Sequence, residues 1–403
     1  MTEYFFVFGR YPEISLAELQ SVFEKYNLNF SLIHQSKESA VFSFTPPGRF
    51  PEIFPSLGGS IKFGRILGEV NLSAPQTDFY QYFDGNYLKE NVIPGNTKKI
   101  HFGISVYDGG GEIKIIKELE NSLSEFLKQI KNNLNSIGLK SGFLRIKGRN
   151  LSSVAVEKNG LLNKGFEMSL IVCGGKIIIG KTQAVQDYES FAQRDMERPR
   201  KDKRSGIMPV KLARMMVNLA SPDSNSRLLD PFCGSGTILM EAVLIGVKHI
   251  FASDISPAAI SNSEANLEWL FRKYNLNRQN FNLKLQIADI RNLEKISGLS
   301  AVDAIVTEPF LGPPLYMPPD ENQSKNIIAQ LSPLYRDSLI IFRRLLSSGG
   351  KIVMIFPFIR GRDNIYFLDK KIIQNSNFRI LNSFLYSSPG QFIGREIIVM
   401  EKS

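Results

Sequence analysis

The sequence predicts an α/β protein whose C-terminal half contains a doubly wound, mostly parallel sheet, preceded by smaller α+β segments. Two observations predict this fold class. After about residue 205, short apolar runs alternate regularly with helical patterns, which is typical of a parallel sheet covered by helices on both faces. Before that point, strand-like and helical runs follow each other less regularly. The length of 403 residues suits two or three domains.

The alternating pattern in the C-terminal half predicts the positions of its strands and helices. Predicted strands cover residues 227–229, 249–252, 285–288, 304–307, 351–356 and 396–401. Predicted helices cover residues 210–219, 237–244, 257–274 and 331–346. Pro209 is expected in the first turn of the helix that leads into the first strand.

The N-terminal half gives a strand at 4–9, a helix with Ser15 as its N-cap and Glu18 three residues on, and a strand at 40–44. A strand at 99–106, a helix at 113–130 and a strand at 142–146 follow. Residues 166–172 and 176–180 form a predicted hairpin, because Gly174 and Gly175 permit a tight turn. The polar, basic stretch 183–205 is interpreted as a linker.

Composition excludes several classes of protein. Hydrophobic residues make up 43% and charged residues 22%, as in ordinary globular proteins. The apolar runs are too short to span a bilayer, and Glu3 lies where a signal peptide carries positive charge. Two cysteines and three histidines without ligand spacing give no metal site. We therefore expect a cytoplasmic protein without metal or membrane partners.

A net charge of +10 favours a polyanionic partner, because basic side chains that neutralise phosphates release condensed counterions. Basic residues also crowd one short segment, with Tyr188 and Phe191 nearby. Such a strip can follow a phosphate backbone; the alternative is a solvated linker. The residues of this strip, which we predict to bind nucleic acid, are Arg194, Arg198, Arg200, Lys201, Lys203, Arg204 and Lys211.

The run 230–237, Asp-Pro-Phe-Cys-Gly-Ser-Gly-Thr, ends the first predicted strand of the C-terminal half and opens a helix. Ligands of open α/β sheets bind outside such strand ends, and Gly234 and Gly236 allow close backbone approach. A dinucleotide fingerprint requires glycine where Leu239 stands, and the Gly-Lys-Ser/Thr of a P-loop is missing. The loop is therefore not built around a phosphate, and Cys233 is interpreted as a packing residue.

Acidic residues follow three successive predicted strands. Asp254, about 20 residues after the first loop, suits a ribose hydroxyl pair. Asp289 can accept a hydrogen bond from an adenine amino group, and Asp230 from the amino group of a methionine moiety. Each of these aspartates could instead cap a helix. The occurrence of all three at the ends of successive strands favours a nucleoside cofactor that has no phosphate.

The fourth strand runs into Glu308-Pro309-Phe310-Leu311-Gly312-Pro313-Pro314. Here Glu308 can orient an exocyclic base amine, Phe310 can stack on the base, and the prolines fix the loop. A structural turn with Phe310 in the core is the alternative. The predicted catalytic residues are Glu308, Pro309 and Phe310.

With these residues assembled, the C-terminal half resembles class I S-adenosylmethionine-dependent methyltransferases that act on base amines. The run 230–237 matches closely, whereas Glu308, Phe310 and Leu311 replace the Asp/Asn, second proline and aromatic of that group's catalytic motif. Upstream, residues 4–19, 182–188 and 206–213 resemble THUMP-containing tRNA guanine-N2 methyltransferases, the guanosine-10 type.

The resemblance implies a ferredoxin-like domain at 1–60, a THUMP-like RNA-binding domain at 61–182, a basic linker at 183–208 and a Rossmann-like catalytic domain at 209–403. It also implies S-adenosylmethionine as cofactor, tRNA as substrate and guanine N2 as the methylated atom; no auxiliary subunit is identified. The predicted cofactor-binding residues are Asp230, Pro231, Cys233, Gly234, Ser235, Gly236, Thr237, Asp254, Ile255, Asp289 and Ile290.

Two alternatives to this function remain open. The same fold could methylate an rRNA or DNA base amine, although a DNA enzyme would usually carry a separate target-recognition domain. A protein of another class, which binds RNA on a methyltransferase scaffold without catalysis, would explain the departures at 308–311.

Overall fold

The computed structural model describes residues 2–45, 53–73, 76–95, 99–145, 148–201, 207–295, 299, 301–388 and 390–403. The chain divides into two compact units, one of Met1–Leu19 with Tyr26–Tyr188 and the other of Gln20–Lys25 with Glu189–Ser403. No helix in the described ranges is both long and apolar enough to span a bilayer.

The first unit is built on a sheet of eight described strands in the order β2-β3-β1-β4-β8-β7-β5-β6. The strands are β1 (Thr2–Phe8), β2 (Phe30–Gln35), β3 (Ser39–Phe44), β4 (Ser60–Asn71), β5 (Lys99–Asp108), β6 (Lys140–Phe143), β7 (Gly165–Cys173) and β8 (Lys176–Val185). The helices are α1 (Pro12–Lys25), α2 (Gln76–Tyr80), α3 (Gly85–Asn91), α4 (Ile113–Ser136) and α5 (Ser153–Lys158). Short 3-10 turns lie at Phe54–Ser56 and Gln81–Phe83.

Two local predictions for this unit have different outcomes. The β7–β8 hairpin is confirmed, and Gly174 and Gly175 adopt the positive φ angles, +48° and +81°, that its turn requires. The prediction of Ser15 as an N-cap is wrong, because α1 begins at Pro12 and Ser15 Oγ donates to the carbonyl of Tyr11 (2.7 Å). Glu18 accepts instead from the backbone amides of residues 58 and 59, at 2.7 and 2.8 Å.

The sheet of the first unit is continuous across the predicted boundary at residue 60. Strand β4 pairs with β1 on one side and with β8 on the other. The buried face of α4, which includes Leu123, Phe126 and Ile130, packs into a core cluster with Phe102 and Phe166 from the sheet. The division of this unit into ferredoxin-like and THUMP-like parts therefore stays a prediction.

The second unit holds a sheet in the order β11-β10-β9-β12-β13-β16-β15, with β14 paired to β13. Its strands are β9 (Arg227–Asp230), β10 (His249–Asp254), β11 (Asn282–Ile287), β12 (Val302–Thr307), β13 (Leu346–Arg360), β14 (Ile365–Phe367), β15 (Phe378–Tyr386) and β16 (Ile393–Lys402). Its helices are α6 (Tyr188–Met196), α7 (Val210–Ala220), α8 (Thr237–Leu244), α9 (Pro257–Lys273), α10 (Glu321–Leu345) and α11 (Lys371–Asn375). Short 3-10 turns lie at Arg278–Asn280 and Ile290–Lys295.

The five strands from β11 to β13 are parallel, and β16 runs antiparallel between β13 and β15. The predicted doubly wound sheet is thus confirmed. From β9 the chain proceeds outward to β10 and β11, and then returns to place β12 on the other side of β9. This reversal creates a crevice at the carboxyl ends of β9 and β12, where ligands of such sheets bind.

Two of the differences between the predicted and observed boundaries have a clear structural cause. Helix α10 begins at Glu321, ten residues before the predicted start at 331, because Asp320 and Gln323 form a capping box that nucleates it. The interpretation of 183–208 as a linker is corrected: β8 continues to Val185, and Tyr188–Met196 is helical. That helix forms because its Phe191 and Arg194 are buried.

Candidate active site

Asp230, the last residue of β9, is buried at the switch point of the sheet. Its Oδ1 accepts hydrogen bonds from Thr307 Oγ1 (2.7 Å) and from the backbone amide of Phe232 (3.2 Å). Its Oδ2 is buried without a partner among the described residues. Burial raises the pKa of Asp230 to about 7, and the charges of Asp254 and Glu308 add to the rise. An added cation at Oδ2 would therefore be stabilising.

The loop after β9 turns sharply into α8 through two left-handed glycines. Gly234 has φ +53° and donates its amide to Asp254 Oδ2 at 3.0 Å. Gly236 has φ +78°, and a Cβ there would lie 2.9 Å from Ser263 Oγ, so the close approach of this turn to α9 requires glycine. Burial raises the pKa of the Cys233 thiol, which disfavours a thiolate and agrees with a packing role.

Asp254 and Asp289 lie at the carboxyl ends of the next two strands. Asp254, at the end of β10, also accepts from the amide of Ser256 (2.9 Å), which holds its carboxylate at the mouth of the crevice. Asp289 accepts from Arg291, Nε to Oδ1 at 2.9 Å and Nη2 to Oδ2 at 2.5 Å. These hydrogen bonds lower the pKa of Asp289 to about 2. Asp289 is therefore an ionised hydrogen-bond acceptor.

Glu308, Pro309 and Phe310 follow β12 directly and leave the sheet beside Asp230. Glu308 Oε1 accepts a 2.6 Å hydrogen bond from Arg395 Nε in an ion pair whose side chains are 15% and 8% exposed, respectively. Phe310 is 55% exposed, so it is not the core residue of the structural-turn alternative. Tyr335 Oη donates to the Phe310 carbonyl (3.2 Å), which fixes the backbone of this loop.

A cavity of about 480 Å³ joins these groups at one end of the sheet, within the size range of small-molecule sites. The predicted residues that line it are Asp230, Pro231, Cys233, Gly234, Ser235, Thr237, Asp254, Ile255, Asp289, Ile290, Glu308, Pro309 and Phe310. Gly236 does not line the cavity; its role is to allow the tight turn between β9 and α8. In the described ranges no group of three or more His, Cys, Asp or Glu side chains could hold a metal ion.

Sequence reasoning missed several residues of this site. Met208, Asn262 and Leu334 line the cavity, and nothing in their local sequence marks them. Thr307 lies next to Glu308, and its contact with Asp230 follows from the adjacency of β9 and β12. Arg395 lies far along the chain, in the antiparallel strand β16. The sequence feature that could have marked it is the charged pair Arg395-Glu396 at the start of an otherwise apolar strand.

The predicted RNA-binding residues do not form one exposed strip. Arg194 and Arg198 are each 2% exposed, which corrects the expectation that their charges face a phosphate backbone. Arg194 Nε donates to Glu241 Oε1 (2.7 Å), and Arg198 Nη1 donates to Thr237 Oγ1 (2.6 Å). The buried guanidinium groups of both residues thus bond to side chains within the second unit. These hydrogen bonds hold residues 194–198 against α8.

The other basic residues of that segment differ in exposure. Arg200 is exposed, Lys201 is half-buried, and the Lys211 ammonium lies 5.4 Å from the centre of the Phe191 ring. Asn266 Nδ2 donates to the carbonyls of residues 200 and 235, at 2.8 Å each, and so joins this segment to the loop after β9. Lys203 and Arg204 lie outside the described residues.

Comparison with known proteins agrees with this geometry. Residues 198–361 match the family described as UPF0020, RMKL-like methyltransferase domain. The chain is 25% identical over 377 residues to the tRNA (guanine(10)-N2)-dimethyltransferase of Methanothermobacter thermautotrophicus, covering 92% of this chain and 90% of that protein.

Solved structures share the fold. TrmN from Thermus thermophilus superposes with a TM-score of 0.54 at 17% identity, over 100% of both chains. SMU.472, a putative methyltransferase complexed with SAH, gives a TM-score of 0.51 at 11% identity over 99% of this chain and 98% of that one. Residues 198–361 of the chain therefore form a methyltransferase domain that is similar to the UPF0020, RMKL-like family.

Proposed function

We propose that this protein is an S-adenosylmethionine-dependent tRNA methyltransferase that modifies the exocyclic N2 of a guanosine. One observation carries the proposal: a single cavity brings the acids that follow three successive strands together with Glu308, Pro309 and Phe310. The named function of the Methanothermobacter relative, which aligns over 92% of this chain, supports the same reaction and substrate.

The side chains that line the cavity match the functional groups of S-adenosylmethionine. The unpartnered Oδ2 of buried Asp230 can accept a hydrogen bond from the cofactor's ammonium group. Asp254 can accept from the ribose hydroxyls and Asp289 from the adenine amino group. The apolar side chains of Ile255 and Ile290 line the same cavity. When bound, the cofactor would supply an electrophilic methyl group from its sulfonium. Transfer of this methyl group to the base nitrogen releases a neutral thioether, and the nitrogen loses one proton to solvent.

The chain's own residues act on the base. Glu308 accepts a hydrogen bond from the guanine amine and so fixes its orientation. The exposed Phe310 ring offers a stacking face at the cavity rim. Pro309 and the Tyr335 hydrogen bond keep the loop that carries both side chains in one conformation. Positioning of the nitrogen is the protein's contribution to the rate in this mechanism.

The same proposal assigns the first unit to tRNA recognition, with a ferredoxin-like part at 1–60 and a THUMP-like part at 61–182. The net charge of +10 supports a phosphate-rich partner. A metal ion and a membrane have no role in this mechanism.

The test is transfer of labelled methyl from S-adenosylmethionine to unmodified tRNA, followed by nucleoside analysis. We expect labelled N2-methylguanosine or its dimethyl form from the wild type, loss of label in Glu308→Ala, and retention in the exposed control Glu321→Ala. A different labelled nucleoside would overturn the assignment to guanine N2. No label, despite measurable binding of cofactor and tRNA, would favour an RNA-binding protein on a methyltransferase scaffold.

A further inference from the structure

The candidate cofactor cavity is lined by acidic side chains. The described residues that line it include four acids and no lysine, arginine or histidine; the acids are Asp230, Asp254, Asp289 and Glu308. S-adenosylmethionine carries a carboxylate on the same carbon as the ammonium group that we assign to Asp230, so this carboxylate must lie in the same acidic cavity. Like charges repel each other there, and an anion taken out of water needs a cation or several hydrogen-bond donors close to it.

The N-terminus of α8 provides donors on the wall of this cavity. The helix begins at Thr237, after Gly236, which supplies no side-chain cap, and Thr237 and Ile238 line the cavity. The amides of a first helical turn have no acceptor within the helix, and the helix dipole favours an anion near them. These amides alone do not identify a carboxylate site, because every helix has them.

A buried arginine lies directly behind that wall. Arg198 is 2% exposed, and its Nη1 donates to Thr237 Oγ1 at 2.6 Å. Asp195 and Glu241 attract the charge of Arg198, but its Nε and Nη2 are buried without a hydrogen-bond partner among the described residues. Since burial of a charge that is not fully paired is costly, the guanidinium of Arg198 would be stabilised by an anion at the first turn of α8.

The hydrogen bond from Arg198 also determines what the hydroxyl of Thr237 can do. A hydroxyl has one proton and two lone pairs, and Arg198 occupies a lone pair, so the proton of Thr237 remains available to a ligand in the cavity. Hydrogen bonds in a chain polarise one another, so a cation that donates to this oxygen makes the hydroxyl a stronger donor. An anion at the start of α8 would therefore contact a polarised hydroxyl and free amides in front of a buried positive charge.

We propose that Arg198 is a positioning residue for the cofactor, and that its charge and its hydrogen bond to Thr237 hold the carboxylate of S-adenosylmethionine at the N-terminus of α8. The proposal rests on the proposed function, because it requires that the cavity binds this cofactor. With the carboxylate at α8 and the ammonium group at Asp230, the methionine moiety is held at two points, which limits the directions in which the reactive methyl can face. Arg198, predicted from the sequence to bind RNA, thus acts on the cofactor.

The experiment compares S-adenosylmethionine with its decarboxylated form, which lacks only this carboxylate, by titration calorimetry in the absence of tRNA. The wild type should bind S-adenosylmethionine about ten- to hundredfold more tightly, the range expected for hydrogen bonds to a charged group. In Arg198→Met the affinity for S-adenosylmethionine should fall by about tenfold. The affinity for the decarboxylated form should not fall, because removal of a cation does not weaken the binding of a more positively charged ligand. Arg198→Lys keeps the charge and should retain part of the preference.

Arg194 provides the matched control. It is as buried as Arg198 and lies four residues before it, but it bonds to Glu241, which does not line the cavity. Arg194→Met should therefore leave the ratio of the two affinities unchanged. Thr237→Val, which removes the hydroxyl and keeps the shape of the side chain, tests the route: Arg198→Met should change the ratio less in this background than in the wild type, because residues that act through each other are not additive.

Full retention of the preference in Arg198→Met would overturn the proposal, and so would equal weakening of both ligands, which indicates a merely structural role. If Arg198→Met does not fold, Thr237→Val decides: an undiminished preference in that variant contradicts the proposal, and a reduced one supports it. A wild type that binds both ligands equally well would refute this inference alone. A wild type that binds neither ligand would refute the proposed function together with it.

Discussion

Thr307 Oγ1 donates a 2.7 Å hydrogen bond to Asp230 Oδ1, and it thereby joins the ends of two adjacent parallel strands at the switch point of the sheet. Asp230 opens the predicted cofactor loop, and Thr307 precedes the predicted catalytic Glu308. The hydrogen bond leaves Asp230 Oδ2 as the buried acceptor without a described partner. Two halves of the candidate site, distant in sequence, are thus fixed to each other by one short contact.

The raised pKa of Asp230, about 7, predicts that cofactor binding depends on pH. Below that pH the carboxyl is protonated and cannot pair with the cofactor's ammonium group. Apparent affinity for S-adenosylmethionine should therefore fall by about tenfold per pH unit below about pH 7 and level off above it. Titration calorimetry between pH 5.5 and 8.5 measures this dependence. Asp230→Asn should bind more weakly and lose the dependence; an unchanged pH profile in that variant would contradict the assignment.

The same pKa has an effect of opposite sign on the stability of the free protein. The folded pKa of Asp230 lies above the usual value of 3.8, so the native state binds the proton more tightly than the unfolded chain. Its contribution to stability is present at low pH and is lost as the pH rises through about 7. Relative to Asp230→Asn, the wild type should therefore lose stability between about pH 4 and pH 7, as measured by urea unfolding.

Asp254→Ala should weaken cofactor binding by about ten- to hundredfold, because it removes the charged group proposed to accept from the ribose hydroxyls. Affinity for tRNA should be unchanged. The control is Asp223→Ala, since Asp223 also accepts from backbone amides but lies before β9, away from the cavity. Equal cofactor affinity in Asp254→Ala and the wild type would show that the ribose assignment is wrong.

Glu241 accepts from both Arg194 (2.7 Å) and Arg214 (2.6 Å) in a buried cluster. Glu241→Gln removes the carboxylate that accepts from two buried guanidinium groups, so the second unit should lose about 3–5 kcal/mol of stability. The exposed pair Glu321–Lys325 provides the control, and Glu321→Gln should cost less than about 1 kcal/mol. Fluorescence of Trp269, the single tryptophan of the sequence, reports unfolding of this unit; equal losses in the two variants would exclude a structural role for the cluster.

Arg200→Gln with Lys201→Gln should weaken tRNA binding and reduce its salt dependence. If both side chains neutralise phosphates, the slope of log affinity against log salt falls in magnitude by about 1.4 to 1.8. Glutamine keeps the Arg200 backbone amide bonded to Asn266, so the loop should persist. Binding at several salt concentrations measures the slope, and an unaltered slope would mean that these charges are merely solvated.

The sequence by itself determined the alternation of strands and helices in the second unit, the glycine turn after β9 and the candidate acids, because periodicity, φ > 0 and strand-end position are local properties. It also identified Glu308, Pro309 and Phe310 from one contiguous run. Local signals mark a residue type and its place on an element, but not its partners.

Only the tertiary structure decided the partners. Arg395 is paired with Glu308 because β16 inserts beside β13, and Arg194 and Arg198 are buried because their helix and the following segment pack on α8. A basic segment has the same sequence pattern whether its side chains contact phosphate groups or a buried carboxylate. Which of these contacts forms depends on the burial of each side chain and on its partners from distant segments, and the tertiary fold sets both.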